Sequence, residues 1–180
     1  HAKIDKYIVK LLPLIKDIFV GYEADTPVEK QIQNLFKTNN ITLAIAESCT
    51  GGEIASRLTK IPGSSEYFLG SITAYNSYAK KEILGIDEQL IKTHSVVSKE
   101  VSREMALKVR EKFKSTYGVS TTGTAGPTLG DSKEKIGTVY ISISKNDSTI
   151  TEKYNFGNHR ERIILKTVNK VFEMLIKSIQ

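Results

Sequence analysis

The run Ile41-Thr42-Leu43-Ala44-Ile45, continued by Ala46-Glu47-Ser48-Cys49-Thr50-Gly51-Gly52 and then by the stretch 53–59, decides how the chain is read. The apolar run reads as a buried strand over 41–47, and the pattern after it as a helix over 52–60. A hydroxyl then stands at a sharp strand-to-helix junction, where a side chain is held out from the end of a sheet. Gly51 and Gly52 allow a tight turn and a close approach of ligand to backbone. The free N–H groups at the helix start can stabilise negative charge. Ser48 is therefore a candidate nucleophile for acyl transfer; the plainer alternative is that it only caps the helix.

Working outward, residues 3–20 carry apolar side chains at helical spacing, with Pro13 as a kink, and residues 21–25 read as a linker. Thr26-Pro27-Val28-Glu29 resembles a capping box with proline in the first helical position, opening a helix whose apolar face is Val28, Ile32, Leu35 and Phe36. Beyond the first strand, Pro62-Gly63-Ser64-Ser65 is a turn, 69–75 a strand and 76–84 a helix. Ser98 caps a long helix with Val101, Met105, Val109 and Phe113 on its buried side, and Gly118 is read as its end. Residues 119–122 form a short strand before the loop 123–127. Residues 136–144 and 148–156 form a hairpin around Asn146-Asp147, and the last helix carries Ile164, Val168, Val171, Phe172 and Leu175. Alternating strands and helices with one hairpin predict an α/β protein, a three-layer α/β/α sandwich on a mixed, mainly parallel sheet.

Polar residues fall at three strand ends. They are Ser48; Tyr75, followed five positions on by Lys80; and Thr122-Gly123-Thr124-Ala125-Gly126-Pro127. Ligands bind at the carboxyl ends of strands in α/β sheets, so parallel neighbours would bring the three together. A serine needs a base, and neither His94 nor His159 lies near Ser48 in the sequence. A lysine with a lowered pKa can serve, and a tyrosine between the two could relay the proton. The loop after Thr122 could hold anionic oxygens on its N–H groups. Each group also has an ordinary reading: Cys49 as a small buried residue, Tyr75 as a half-buried strand residue, Lys80 and Arg160 as solvated charges, and 122–127 as a turn.

Bulk properties narrow the classes. With 180 residues, 39% apolar and 26% charged, one soluble domain with a substantial core is expected. No apolar run is long enough to span a bilayer, and Lys3, Asp5, Lys6 and Lys10 do not fit a secretory leader. The single cysteine excludes an internal disulfide and a cysteine-cluster metal site, and fits a cytoplasmic location. The net charge of +6 is scattered over amphipathic helices, which assigns it to solvated faces rather than to nucleic acid. No membrane partner, metal or cofactor is expected.

The motifs at 46–52, 62–65, 75–85 (Tyr-x4-Lys-x3-Leu-Gly), 97–98, 122–127 and 137–139 (Gly-Thr-Val) stand in an order that resembles the CinA C-terminal family. The resemblance runs from about Val28 through the last helix. It implies a three-layer fold with a five-stranded mixed sheet. It implies nicotinamide-nucleotide amidase activity, in which nicotinamide mononucleotide and water give nicotinate mononucleotide and ammonia. Residues 26–180 are the matching domain and 1–25 a helix and linker preceding it. A further domain resembling molybdopterin-binding proteins is expected in a longer parent chain, consistent with a start that is not methionine.

By position, the resemblance makes Ser48 the nucleophile and Tyr75 and Lys80 the proton-handling pair. It makes Thr50, Gly51, Thr122, Gly123 and Arg160 substrate-binding. Arg160 matches the arginine of the family's Phe-x-Gly-Asp-Arg segment, here Phe156-Gly157-Asn158-His159-Arg160, in which the glycine is displaced and aspartate is absent. A second family arginine is Ile164 here, Ser71 stands where glycine is common, and Thr124 where isoleucine is common. The backbone N–H groups of 49–52 are the expected oxyanion hole, and a homo-oligomer is expected. The rival readings are a non-catalytic interaction module associated with competence or DNA damage, and an acid-amide hydrolase with a different substrate.

Overall fold

The computed structural model describes residues 26–146 and 148–179, with Tyr7 and residues 10–14. The expected first helix otherwise lies outside the described residues, as do the linker 21–25 and Asp147. Leu12–Leu14 is a 3-10 turn around Pro13.

Helix α1, Val28–Thr38, starts one residue later than expected, with Pro27 as its N-cap. No capping box forms. The Pro27 carbonyl accepts from the Lys30 and Gln31 amides, and the Glu29 carboxylate is taken by Arg57, Nε to Oε1 2.6 Å. Strand β1, Leu43–Glu47, is buried along its whole length, as the apolar run requires. Helix α2, Glu53–Thr59, follows the Ser48–Gly52 turn. Strand β2 is Phe68–Thr73. Residues 76–84 are not a regular α-helix: Ala79–Ile83 is π-helical, with the Leu84 amide donating to Ala79 O at 3.1 Å. Helix α3, Glu88–His94, and helix α4, Lys99–Phe113, come next. Ser98 caps α4, its hydroxyl accepting from the Val101 amide.

Gly118 does not end α4. Lys114, in the left-handed region at φ 51°, does so, and Gly118 lies inside β3, Tyr117–Gly123. A Cβ there would come within 2.2 Å of the Ala106 carbonyl oxygen, so the glycine lets α4 lie close on the sheet. Strands β4, Thr138–Lys145, and β5, Ser148–Asn155, form the expected hairpin, and α5 is Arg160–Ile179.

The sheet order is β2-β1-β3-β4-β5. β1 runs parallel to β2 and β3, β3 and β4 are antiparallel, and so are β4 and β5. Four strands therefore point one way and β4 alone opposes them, the mixed, mainly parallel sheet expected. Alternation along β1 separates two cores. Leu43 and Ile45 face Ile32, Phe36, Ile54, Val168 and Phe172 under α1, α2 and α5. Ala44 and Ala46 face Val101, Met105 and Val109 of α4, with Leu84 and Ile86. On this side the sheet contributes small residues and hydroxyls, and a buried Ser102–Ser120–Ser142 cluster has Oγ separations of 3.1 and 2.7 Å. Register aligns Glu47 with Thr73 and with Thr121, so β1, β2 and β3 end together on one edge of the domain.

Candidate active site

The turn after β1 is held by the carboxylate that ends the strand. Glu47 is fully buried and accepts from the amides of Gly52, Ile54 and Ala55 at 3.0, 3.1 and 2.9 Å. Its negative charge meets the positive end of α2. The helix start is therefore occupied by the protein's own anion. The Gly51 amide donates to Ser48 O, and Gly52 is taken by Glu47. Of the expected oxyanion donors at 49–52, only the amides of Cys49 and Thr50 are not engaged by these bonds.

Ser48 is buried at the head of this turn. Lys80, brought in by the π-helical segment, places Nζ 3.0 Å from Ser48 Oγ and 3.0 Å from Ala74 O. Only 2% of Lys80 is exposed. Burial pushes its ammonium from 10.5 down to about 8, against the charge of Asp131, which acts to raise it. A lysine near 8 offers a substantial neutral fraction at neutral pH and can accept the serine proton.

Cys49 is buried too, and loss of solvation pushes its thiol up to about 12, outweighing a hydrogen bond from Thr121 and the charge of Lys80. It is a core thiol rather than a thiolate nucleophile.

Tyr75 is exposed beyond the end of β2. Its oxygen accepts from Arg160 Nη2 at 2.7 Å, while Arg160 Nη1 donates to Gly126 O at 2.7 Å. The tyrosine makes no hydrogen bond to Ser48 or Lys80, which meet directly. Thr122 is buried and donates to Val96 O at 2.9 Å. At Gly123 a Cβ would meet Val139 Cγ2 at 2.7 Å and the Thr138 carbonyl oxygen at 2.9 Å.

Ser48, Tyr75, Lys80, Thr122, Gly123 and Arg160 line one cavity of about 310 Å³ at the strand ends. Thr50 and Gly51 do not line it. Thr50 turns inward, its hydroxyl 2.8 Å from that of Thr121, and Gly51 supplies the left-handed backbone of the turn at φ 62°. Among the described residues, no group of three or more His, Cys, Asp or Glu side chains is placed to hold a metal ion. His94 instead lies 3.5 Å from Glu100.

A model of the CinA C-terminal domain matches residues 25–179. The chain belongs to the CinA C-terminal domain family. A CinA-like protein of Flavobacterium psychrophilum is 43% identical over 177 residues, 98% of this chain and 42% of that protein. One from Cytophaga hutchinsonii is 34% identical over 180 residues, 100% of this chain and 43% of that protein. The chain thus spans less than half the length of these curated relatives. Among solved structures, a competence/damage inducible protein, CihA, of Agrobacterium tumefaciens has a TM-score of 0.79 at 29% identity, covering 90% of this chain and all of that one. A competence or damage-inducible protein of Enterobacter asburiae has a TM-score of 0.81 at 24% identity, over 85% and 96% of the two chains, a likeness of fold.

Sequence reasoning missed three groups in this CinA-family domain. Glu47 was hidden by its place in an apolar strand, although a carboxylate just before a helix start is a recognisable capping signal. Asn76 lines the cavity and its Oδ1 accepts from the Ala79 amide at 2.9 Å, opening the segment that carries Lys80. Asp131 also lines the cavity, from the loop between β3 and β4; the Gly130-Asp131-Ser132 turn was its only signal.

Proposed function

We propose that this CinA-family domain is a metal-independent amidohydrolase acting on a linear amide, a nicotinamide-nucleotide amidase that converts nicotinamide mononucleotide to nicotinate mononucleotide and ammonia. The observation that carries the reading is the 3.0 Å contact between Ser48 Oγ and a buried Lys80 whose pKa is lowered to about 8. A cavity of about 310 Å³ is also of a size used for small ligands.

In this reading neutral Lys80 takes the Ser48 proton as Oγ attacks the carboxamide carbon. The C–O bond forms and the carbonyl oxygen becomes an oxyanion beside the Cys49 amide, the unengaged donor of a residue that lines the cavity, where one well-placed donor contributes about 3 kcal/mol. Lys80 returns the proton to the departing nitrogen, the C–N bond breaks and ammonia leaves. Water, deprotonated by Lys80, then attacks the ester carbon, the bond to Ser48 Oγ breaks, Lys80 returns its proton to Oγ, and the product leaves as the acid, which ionises to the carboxylate in solvent. Tyr75 acts at the mouth: its oxygen accepts from Arg160, so its own proton stays available to a substrate oxygen. Arg160 binds the phosphate. A purely interacting module would gain nothing from a buried lysine against a serine, since desolvating that charge is unfavourable. Ammonia release from nicotinamide mononucleotide by the purified chain tests the reading; a chain that releases none is not this amidase.

A further inference from the structure

We propose that Asp131 is a specificity-determining residue that makes the cavity bipolar, selecting ligands that carry a positive ring at one end and an anion at the other. The inference rests on the amidase reading for its substrate and adds a residue which that reading does not use. Asp131 and Arg160 line the same cavity. Neither takes part in any ion pair among the described residues, with each other or with another side chain. A carboxylate and a guanidinium that share one cavity unpaired are each left for a ligand group of opposite charge.

The Asp131 loop is fixed at several points. The Ser95 hydroxyl donates to Asp131 O at 3.3 Å and is in turn 3.4 Å from the Lys133 amide. The Thr124 hydroxyl donates to Ser132 Oγ at 2.6 Å. Across the cavity, Ser77 Oγ reaches Asp131 Oδ2 at 3.4 Å, and the Asp131 charge is felt at Lys80. Ser77 stands three residues before Lys80 on the same helical segment, so the carboxylate faces the segment that brings in Lys80, and Arg160 joins Gly126 to Tyr75. A nicotinamide mononucleotide has this polarity. Its pyridine ring is quaternised by the ribose and bears a full positive charge beside the carboxamide, and its phosphate is at the far end.

The 1,4-dihydropyridine form of nicotinamide mononucleotide keeps the carboxamide, ribose and phosphate but has an uncharged ring. Calorimetry on Ser48→Ala, which binds without turnover, gives the ratio of dissociation constants, reduced over oxidised. A partly exposed charge pair supports a ratio of about three to five. Adding Asp131→Asn should bring the ratio to about one by weakening the oxidised ligand alone. Asp131→Ser, which also removes the charge, should behave the same way. Equal weakening of both ligands, an unchanged ratio, or no measurable binding of the oxidised ligand would each overturn the proposal. Ammonia release by the unmodified chain is scored separately. Its absence alongside a charge-dependent ratio would sink the amidase reading and leave the bipolar site standing.

Discussion

Replacing Lys80 by methionine should make the protein more stable and inactive at once. Methionine keeps most of the aliphatic stem and removes the buried charge. The drop in the Lys80 pKa from 10.5 to about 8 means that holding its ammonium inside the fold costs about 3 kcal/mol near pH 7. Against this, Ser48 Oγ and Ala74 O lose their donor, at about 1 kcal/mol each. The net is a gain of about 1 kcal/mol, or roughly 2–4 °C in melting temperature for a chain of this size. The sign with pH follows from linkage. Between about 8 and 10.5 the unfolded chain keeps the Lys80 proton and the folded chain does not, so native stability from this group rises with pH across that window. The advantage of Lys80→Met should therefore be full below pH 8 and shrink toward pH 10.5. Melting curves of both proteins at several pH values measure it, and amidase rates should fall about 100- to 10,000-fold in parallel. A variant less stable than its parent at pH 7, or an advantage that does not change with pH, would refute a desolvated, charge-strained Lys80.

Four further outcomes are expected. The parent's kcat/KM should rise with pH through a midpoint near 8 and level off above it, as Lys80 loses its proton, and Lys80→Met should lack that limb. Arg160→Ala should raise KM about tenfold with a smaller change in kcat, as loss of a charged hydrogen-bond donor to phosphate would; a fall in kcat alone would argue against a binding role. Cys49→Ser should stay active, because the thiol is pushed up to about 12 and supplies no thiolate; loss of turnover with the fold intact would return the nucleophile to Cys49. Gly118→Ala should lower stability by about 1–3 kcal/mol in chemical denaturation, since its Cβ would meet the Ala106 carbonyl at 2.2 Å; an unchanged midpoint would mean that α4 does not lie that close.

Strong periodicity made most of the fold legible. Leu43–Glu47 reads as a buried strand because every position is apolar or small up to Glu47, and the β4–β5 hairpin and α5 follow from period 2 and period 3.6 in the same way. Helix α3 was missed because no residue on it is buried, so it carries little apolar signal. The π-helical turn was misread as α-helix because the side-chain pattern does not reveal that the Leu84 amide reaches back five residues, to Ala79. Gly118 was given the common role of a helix stop, and only the packing of α4 on the sheet shows that it makes room. At the candidate site, Ser48, Lys80 and Arg160 were found from strand ends and from the family pattern. What those signals could not supply was direction: Tyr75 turns to Arg160, Thr50 turns to Thr121, and Glu47 occupies the helix start that had been read as free.

The most direct test of the chemistry is ammonia release from nicotinamide mononucleotide, measured side by side for the parent chain and Ser48→Ala, with melting curves confirming that both are folded. The parent should form ammonia and nicotinate mononucleotide in equal amounts, and Ser48→Ala should give neither above background. Turnover that survives in Ser48→Ala, or its absence from the folded parent, would contradict a Ser48–Lys80 amidase.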